Sequence, residues 1–149
     1  MNLTNLISNL RRVDISNYNK LFRYGVLLKN YRTEEWIEYL DKSKIYKYQK
    51  NLIHQDKQFE MYLINWPQQY QSTIHNHSVN GCLMKVLQGQ LEEKIYTDQL
   101  DFIESSLKYK GDVSYIDDTI GYHSISNNDT INTISLHIYS PPLHKTDYF

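Results

Sequence analysis

The residues able to do chemistry concentrate in "STIHNHSVNGCLMKVLQG" (72–89), where His75 and His77 stand one residue apart and the only cysteine, Cys82, follows. On a strand, residues two apart share a face about 6–7 Å apart along the chain, a spacing at which two imidazoles can converge on one metal ion. A bare pair of this kind is more commonly two histidines satisfied by hydrogen bonds, so the metal reading needs a third ligand from another strand. His123, in "IDDTIGYHSISN", is the candidate, entering a strand after a glycine turn. Three neutral imidazoles suit a divalent transition metal such as iron, nickel or zinc, and do not by themselves choose among them. His54 and His144 lack comparable surroundings and read as surface residues.

A third constellation lies in "ISLHIYSPP". On a strand, Ser135, His137 and Tyr139 share one face, and Leu136 and Ile138 the other. A polar row facing inward is costly without partners. The row is therefore either a hydrogen-bonded chain aimed at a site or a solvent-exposed face, and periodicity does not choose. No acidic orienter or nucleophile elbow accompanies it, so it is not a hydrolase signature.

The elements that position these residues fall into two textures. The first fifty residues read as helical: Leu3, Leu6, Ile7 and Leu10 form one apolar stripe, and a second helix is expected from Ser16, carrying Leu21 and Phe22. Thr33 is the expected N-cap of a third, with Glu34 and Glu35 in its first turn and Trp36, Tyr39 and Leu40 on one face. From about Phe59, short runs rich in Ile, Val, Tyr and Thr alternate with turn material such as "LQGQ", "YKGD" and "SNND". Strands so spaced suggest a sandwich or barrel, giving a helical N-terminal layer on an all-β body.

At 149 residues the chain fits one domain. A net charge of -1 gives no electrostatic case for nucleic acid or an anionic membrane. No apolar run has signal-peptide or transmembrane length, and one cysteine allows neither an internal disulfide nor a cysteine-rich zinc site. The expectation is a soluble cytoplasmic protein.

Spacing adds a resemblance. His75-x-His77, four residues, Cys82, six residues and Gly89 is similar to the first motif of cupins, with Cys82 where many cupins place a glutamate ligand. "GYHSISN", with Asn127 four residues beyond His123, is similar to the second. The implied fold is mainly β: a cupin-type β-barrel (double-stranded β-helix or jelly roll) over 58–142, with a short helical layer over 1–50, in a single domain of 1–149. Without the carboxylate, three imidazoles leave Fe(II) its full charge, so a thiolate can enter as replacement ligand and open positions can admit O2.

Together, "STIHNHSVNGCLMKVLQGQLEE", "SYIDDTIGYHSISN" and "SLHIYSPP" closely resemble the cysteine dioxygenase family, in order, from about Tyr48 to Pro142. The resemblance implies an enzyme of cysteine metabolism with Fe(II) on His75, His77 and His123. L-cysteine would bind through thiolate and amine, and both atoms of O2 would end on sulfur, giving cysteine sulfinic acid. Cys82 and Tyr139 match the family's thioether-linked pair, and Ser135, His137 and Tyr139 its outer hydrogen-bonded row. Tyr48 and Trp66 match residues near the substrate. The alternatives are a small buried hydrophobe for Cys82 and plain core packing for Trp66. The expected partners are a small thiol and O2, and the protein is expected to be a monomer.

Three departures stand out. Lys50, in "YQKNLIHQ", occupies the place of the family's carboxylate-binding arginine; a lysine is a point charge without a bidentate fork, and a solvated surface lysine is the alternative. The arginines (Arg11, Arg12, Arg23 and Arg32) all lie in the helical part. Gly81 stands where some members have histidine, which implies a more open pocket. The chain also stops at Phe149, soon after the last motif, which implies a more exposed wall. Related readings are the same chemistry on 3-mercaptopropionate or cysteamine, and a non-catalytic cupin that binds a metal or metabolite.

Overall fold

The computed structural model describes residues 1–149. Helix α1 (Leu3–Arg12) forms on the expected stripe, burying Leu3, Leu6 and Leu10. Asn2 caps it by accepting from the Asn5 amide, and Arg11 and Arg12 occupy the last turn, where the helix dipole favours cations. The second helix starts later than expected. Ser16 and Asn19 pair in an isolated bridge, the Ser16 hydroxyl accepts from the Tyr18 amide, and Asn19 donates to the Asp14 carbonyl. Such side-chain bonds offer the backbone an alternative to helix. A 3-10 turn, Leu21–Tyr24, then leads into α2 (Gly25–Lys29); Leu21 is buried but Phe22 is exposed. Thr33 caps nothing: its hydroxyl bonds the Glu35 carboxylate, and the 3-10 turn Glu35–Tyr39 begins without a side-chain cap. Trp36 in that turn is buried, while Tyr39 is exposed.

Eight strands follow: β1 (Gln49–Gln55), β2 (Glu60–Trp66), β3 (Cys82–Gln88), β4 (Gln90–Tyr96), β5 (Phe102–Tyr109), β6 (Val113–Ile116), β7 (Tyr122–Ser126) and β8 (Thr133–Tyr139). They form two antiparallel sheets, one in the order β1-β2-β8-β3-β6 and one in the order β5-β4-β7. The β structure thus begins at Gln49, ahead of the expected 58, and Lys50 belongs to a strand rather than to the helical layer. β1 is an edge strand whose "QKNLIHQ" carries apolar residues only at Leu52 and Ile53, so it lacks the alternation that marks a half-buried strand.

The central strands β2, β8 and β3 are buried on both faces. One face packs Met61, Leu63, Leu83, Leu87, Ile134, Leu136 and Ile138 against Leu6, Leu10, Leu21, Leu28 and Trp36 of the helical layer. Each such side chain contributes about 1.5–3 kcal/mol when fully buried. Lys85 points to the same side, and its ammonium donates to the carbonyls of Leu28, Lys29 and Tyr31, closing the end of α2. The other face turns into the barrel, where Ile64, Trp66, Met84 and Val86 meet Leu91 and Ile125 of the smaller sheet. Alternation along β8 therefore sends Ser135, His137 and Tyr139 inward.

"STIHNHS", expected as a strand, joins neither sheet. It lies in the long connection from β2 to β3, and His75 forms only isolated bridges, to His123 and to Tyr148. Its Ser72 and Thr73 bond nearby backbone instead, the Ser72 hydroxyl accepting from Ile125 and the Thr73 carbonyl meeting the His75 ring.

Candidate metal centre

His123 stands on β7 just past Gly121, whose φ of +150° and close approach to the Tyr96 carbonyl leave no room for a Cβ. Its backbone holds His75 by two hydrogen bonds, of 3.0 and 3.3 Å. The His77 amide donates to Asp118 at 2.9 Å. The ring centroids stand 5.2 Å apart for His75 and His77, 4.7 Å for His75 and His123, and 4.4 Å for His77 and His123. One nitrogen from each ring lies within 4.8 Å of the others.

The hydrogen bonds fix two tautomers. His75 Nδ1 lies 2.8 Å from the Thr73 carbonyl, which can only accept, so the ring proton is on Nδ1 and Nε2 carries a lone pair. His123 Nδ1 lies 2.7 Å from Glu93 Oε2, and the carboxylate again takes the Nδ1 proton. Glu93 is itself buried, and the Ser114 hydroxyl donates to it. Two lone pairs thus face each other, with His75 Nε2 and His123 Nε2 only 3.1 Å apart. No proton is left to join them. Neither ring nitrogen of buried His77 makes a hydrogen bond within the protein, and its Nδ1 lies 3.4 Å from Asp118 Oδ1. Burial pushes His75 and His77 down to about 4 and also lowers His123, so all three stay neutral near pH 7. A divalent cation between the rings resolves this arrangement, and the donor set suits a transition metal.

The β8 row is complete in itself. The Trp66 indole N–H donates to Ser135 Oγ at 2.8 Å; Ser135 Oγ lies 2.7 Å from His137 Nε2; His137 Nδ1 lies 3.2 Å from the Tyr139 hydroxyl. The indole N–H takes one lone pair of Ser135 Oγ, and the Ser135 O–H is satisfied by donating to its one other partner, His137 Nε2; the neutral ring then donates from Nδ1 to the tyrosine oxygen. Burial holds His137 well below its usual pKa and Tyr139 well above its own. The Tyr139 O–H is therefore free to donate into the cavity. Of the two readings left open for this row, the hydrogen-bonded chain is the one formed.

A cavity of about 350 Å³ joins these groups, lined by the three histidines, His137, Tyr139, Tyr48, Lys50 and Trp66. Tyr48 stacks on Tyr70 at 4.8 Å and meets Trp66 edge-on at 5.4 Å. The Lys50 ammonium stands 4.6 Å from the Tyr62 ring centre and 4.9 Å from that of Tyr139. Cys82 is buried and sits directly opposite Tyr139 across β3 and β8, and burial raises its thiol pKa.

Three expectations fail here. Gly81 does not open the pocket: its φ is +94°, and the space for a side chain is filled by the Tyr115 ring and hydroxyl. The wall expected to be exposed is covered by the segment after β8, with His144, Thr146 and Tyr148 lining the cavity. His144 is therefore not a plain surface residue. Sequence reasoning also missed Glu93, although its parity with Leu91 and Ile95, both apolar, placed it on the inward side of β4.

The architecture and the histidine cluster together define a double-stranded β-helix protein with a metal-type site. Among solved structures, an uncharacterized conserved protein with a double-stranded beta-helix domain from Klebsiella pneumoniae matches with a TM-score of 0.63 at 12% identity, covering 80% of this chain and 92% of that one. The family model for cysteine dioxygenase type I matches residues 4–149, and the chain belongs to that family of enzymes. Cysteine dioxygenase type 1 of Danio rerio is 28% identical over 99% of this chain and 78% of its own length. The Rattus norvegicus enzyme is 33% identical over 77% of this chain, and that match spans 61% of the rat protein.

Proposed function

We propose that the protein is an iron-dependent thiol dioxygenase that oxidises L-cysteine to cysteine sulfinic acid. The facing lone pairs of His75 and His123 beside unpartnered His77 carry this reading, because they ask for a cation at the cavity floor. Fe(II) bound there would supply the one-electron chemistry that lets O2 react with a thiolate. The balance is RSH + O2 → RSO2H, with both oxygen atoms on sulfur and no further reductant.

The chain's own groups orient the reactants. Tyr139 donates its hydroxyl proton toward the reacting atoms, held by His137, Ser135 and Trp66. Lys50 and Tyr48 receive the carboxylate, and the ammonium does so through charge rather than a fork. Cys82 and Tyr139, directly opposite on neighbouring strands, are placed for a thioether: an S–C bond replaces S–H and ring C–H, and O2 takes the two electrons and two protons. A second reading is the same chemistry on 3-mercaptopropionate or cysteamine: Lys50, the cavity's one lysine, makes no ion pair within it, so it can take the carboxylate of cysteine or of 3-mercaptopropionate, a role that cysteamine would leave empty.

The test is sulfinate analysis on iron-loaded protein with these thiols, in wild type and Lys50→Met. With cysteine as substrate, the variant should raise KM for cysteine about ten- to a hundredfold, as expected for a lost charged hydrogen bond, and leave cysteamine unaffected. Equal effects on both thiols would remove Lys50 from the carboxylate site, and no sulfinate from any thiol would reject the function.

A further inference from the structure

The segment after β8 is bound to the stretch that carries two of the three histidines. The Asn76 amide donates to the Asp147 carbonyl at 3.2 Å, and its side-chain Nδ2 donates to Asp147 Oδ2 at 3.1 Å. Asn76 Oδ1 accepts from the Asp147 amide at 2.9 Å and from His144 Nε2 at 3.2 Å. Phe149 N donates to the Ile74 carbonyl at 2.9 Å, and Tyr148 bridges His75. Further out, Leu143 N approaches Glu60 Oε2 at 3.4 Å, and Phe149 stacks on Tyr122, the neighbour of His123, at 5.0 Å and 3°. Residues 74–76 are thus held on one side by β7 and on the other by 147–149.

Asn76 itself lies between His75 and His77, and every polar atom of its side chain is turned away from the histidines and toward this segment. We propose that Asn76 is a positioning residue that couples metal occupancy to the docking of residues 143–149, which in turn supply His144, Thr146 and Tyr148 as the substrate-facing wall of the cavity. A cation that draws the His75 and His77 rings together fixes the backbone of Asn76, which presents its hydrogen bonds to Asp147. By linkage, docking of the segment strengthens metal binding by the same factor. The segment therefore closes the cavity more tightly over a loaded site. This inference rests on the metal site proposed above and not on turnover.

Two measurements on the full chain test it, with Co(II) as a redox-silent probe: hydrogen exchange at the amides of Asn76, Asp147 and Phe149 with and without metal, and the metal Kd of wild type, Asn76→Ala and Asp147→Ala. Co(II) should slow exchange at all three amides. Asn76→Ala should weaken metal binding about five- to fiftyfold, within the usual range of coupling between sites, and abolish the metal-dependent slowing at 147 and 149. Asp147→Ala leaves the ligand-bearing stretch intact and removes one acceptor, so it should weaken binding by a smaller factor. Exchange at 147 and 149 that ignores metal would overturn the coupling. So would an Asn76→Ala variant that weakens metal binding while 147 and 149 stay as protected as in wild type. Absence of sulfinate from the loaded protein would instead reject the proposed reaction and leave this result standing.

Discussion

Two polar regions share the barrel interior, and they are finished differently. Along β8, Trp66, Ser135, His137 and Tyr139 form a chain in which each donor has its acceptor, leaving one hydroxyl proton to spend on the cavity. Across from it, His75, His77 and His123 bring together nitrogens with nothing between them to share. Buried polar groups cost roughly 1–3 kcal/mol each when unpartnered. The protein alone completes the first region; the second fits a cation. A row that is self-sufficient orients; a cluster that is not binds.

The comparison is broken most severely at the ligands. His123→Ala removes one imidazole from the cluster while keeping its backbone bonds to His75, and should abolish about one equivalent of tightly held iron together with essentially all activity. Metal analysis after gel filtration checks it, and full O2 uptake by the variant would reject the assignment. Glu93→Gln grades the same effect. The amide is neutral and fixes the His123 tautomer less firmly, so metal affinity should fall about 10–100-fold, as for other partners of metal-bound histidines. Affinity within twofold of wild type would show that Glu93 serves packing alone.

Proton competition sharpens the comparison next. In the unfolded chain His75 and His77 protonate as pH falls through about 6.5, but in the folded protein only near about 4. The unfolded state therefore binds more protons in that window. Stability of the metal-free protein is full above about 6.5 and is lost progressively as pH falls toward 4. Because the folded His75 and His77 rings are already neutral, their protonation should not erode metal affinity between pH 7.5 and about 5, whereas exposed histidines would lose affinity from about 6.5. Thermal midpoints with and without metal across this range check both. A tenfold loss of affinity per pH unit between 7 and 6 would show that the cluster is solvated and not held neutral by burial.

What was legible in the sequence divides along the same line. His75, His77 and His123 could be read as candidates from type and spacing; the pair alone has an ordinary hydrogen-bonding explanation, and the third histidine, after a glycine turn at a strand entry, is what points to a cluster. The inward row on β8 could be seen as a row but not aimed, because alternation gives parity without naming the face that meets the barrel. "STIHNHS" has the alternation of a strand, yet its groups divide their bonds among neighbours in the chain, β7 and the segment after β8, and it pairs only at His75. The role of Asn76 and the covering of the cavity by residues 143–149 depend on contacts some seventy residues apart, |i−j| = 71 for Asn76 and Asp147, which no local pattern encodes. Lys50 could be found only through resemblance, because its strand carries too little apolar periodicity to announce itself.

The smallest effect is expected at the far end of the β8 chain, and it asks whether that chain has a direction. Trp66 touches the cavity, but its indole N–H also biases the order of donors: it occupies one lone pair of Ser135 Oγ, whose own O–H then finds its acceptor at His137. In Trp66→Phe the serine is free to turn. His137 can then carry its proton on Nε2 and donate to Ser135, while Nδ1 accepts from Tyr139. That reversal draws the tyrosine proton away from the substrate. The energy at stake is one neutral hydrogen bond, about 1 kcal/mol, so kcat should fall roughly fivefold with KM for cysteine little changed. Loss of ring volume should also lower the thermal midpoint, but packing alone would not move kcat measured well below that midpoint. Ser135→Ala, which removes the relay at its middle, should lower kcat at least as far. If kcat stays within twofold in both variants while the midpoint drops, the row is a structural network and Tyr139 is oriented by its own packing.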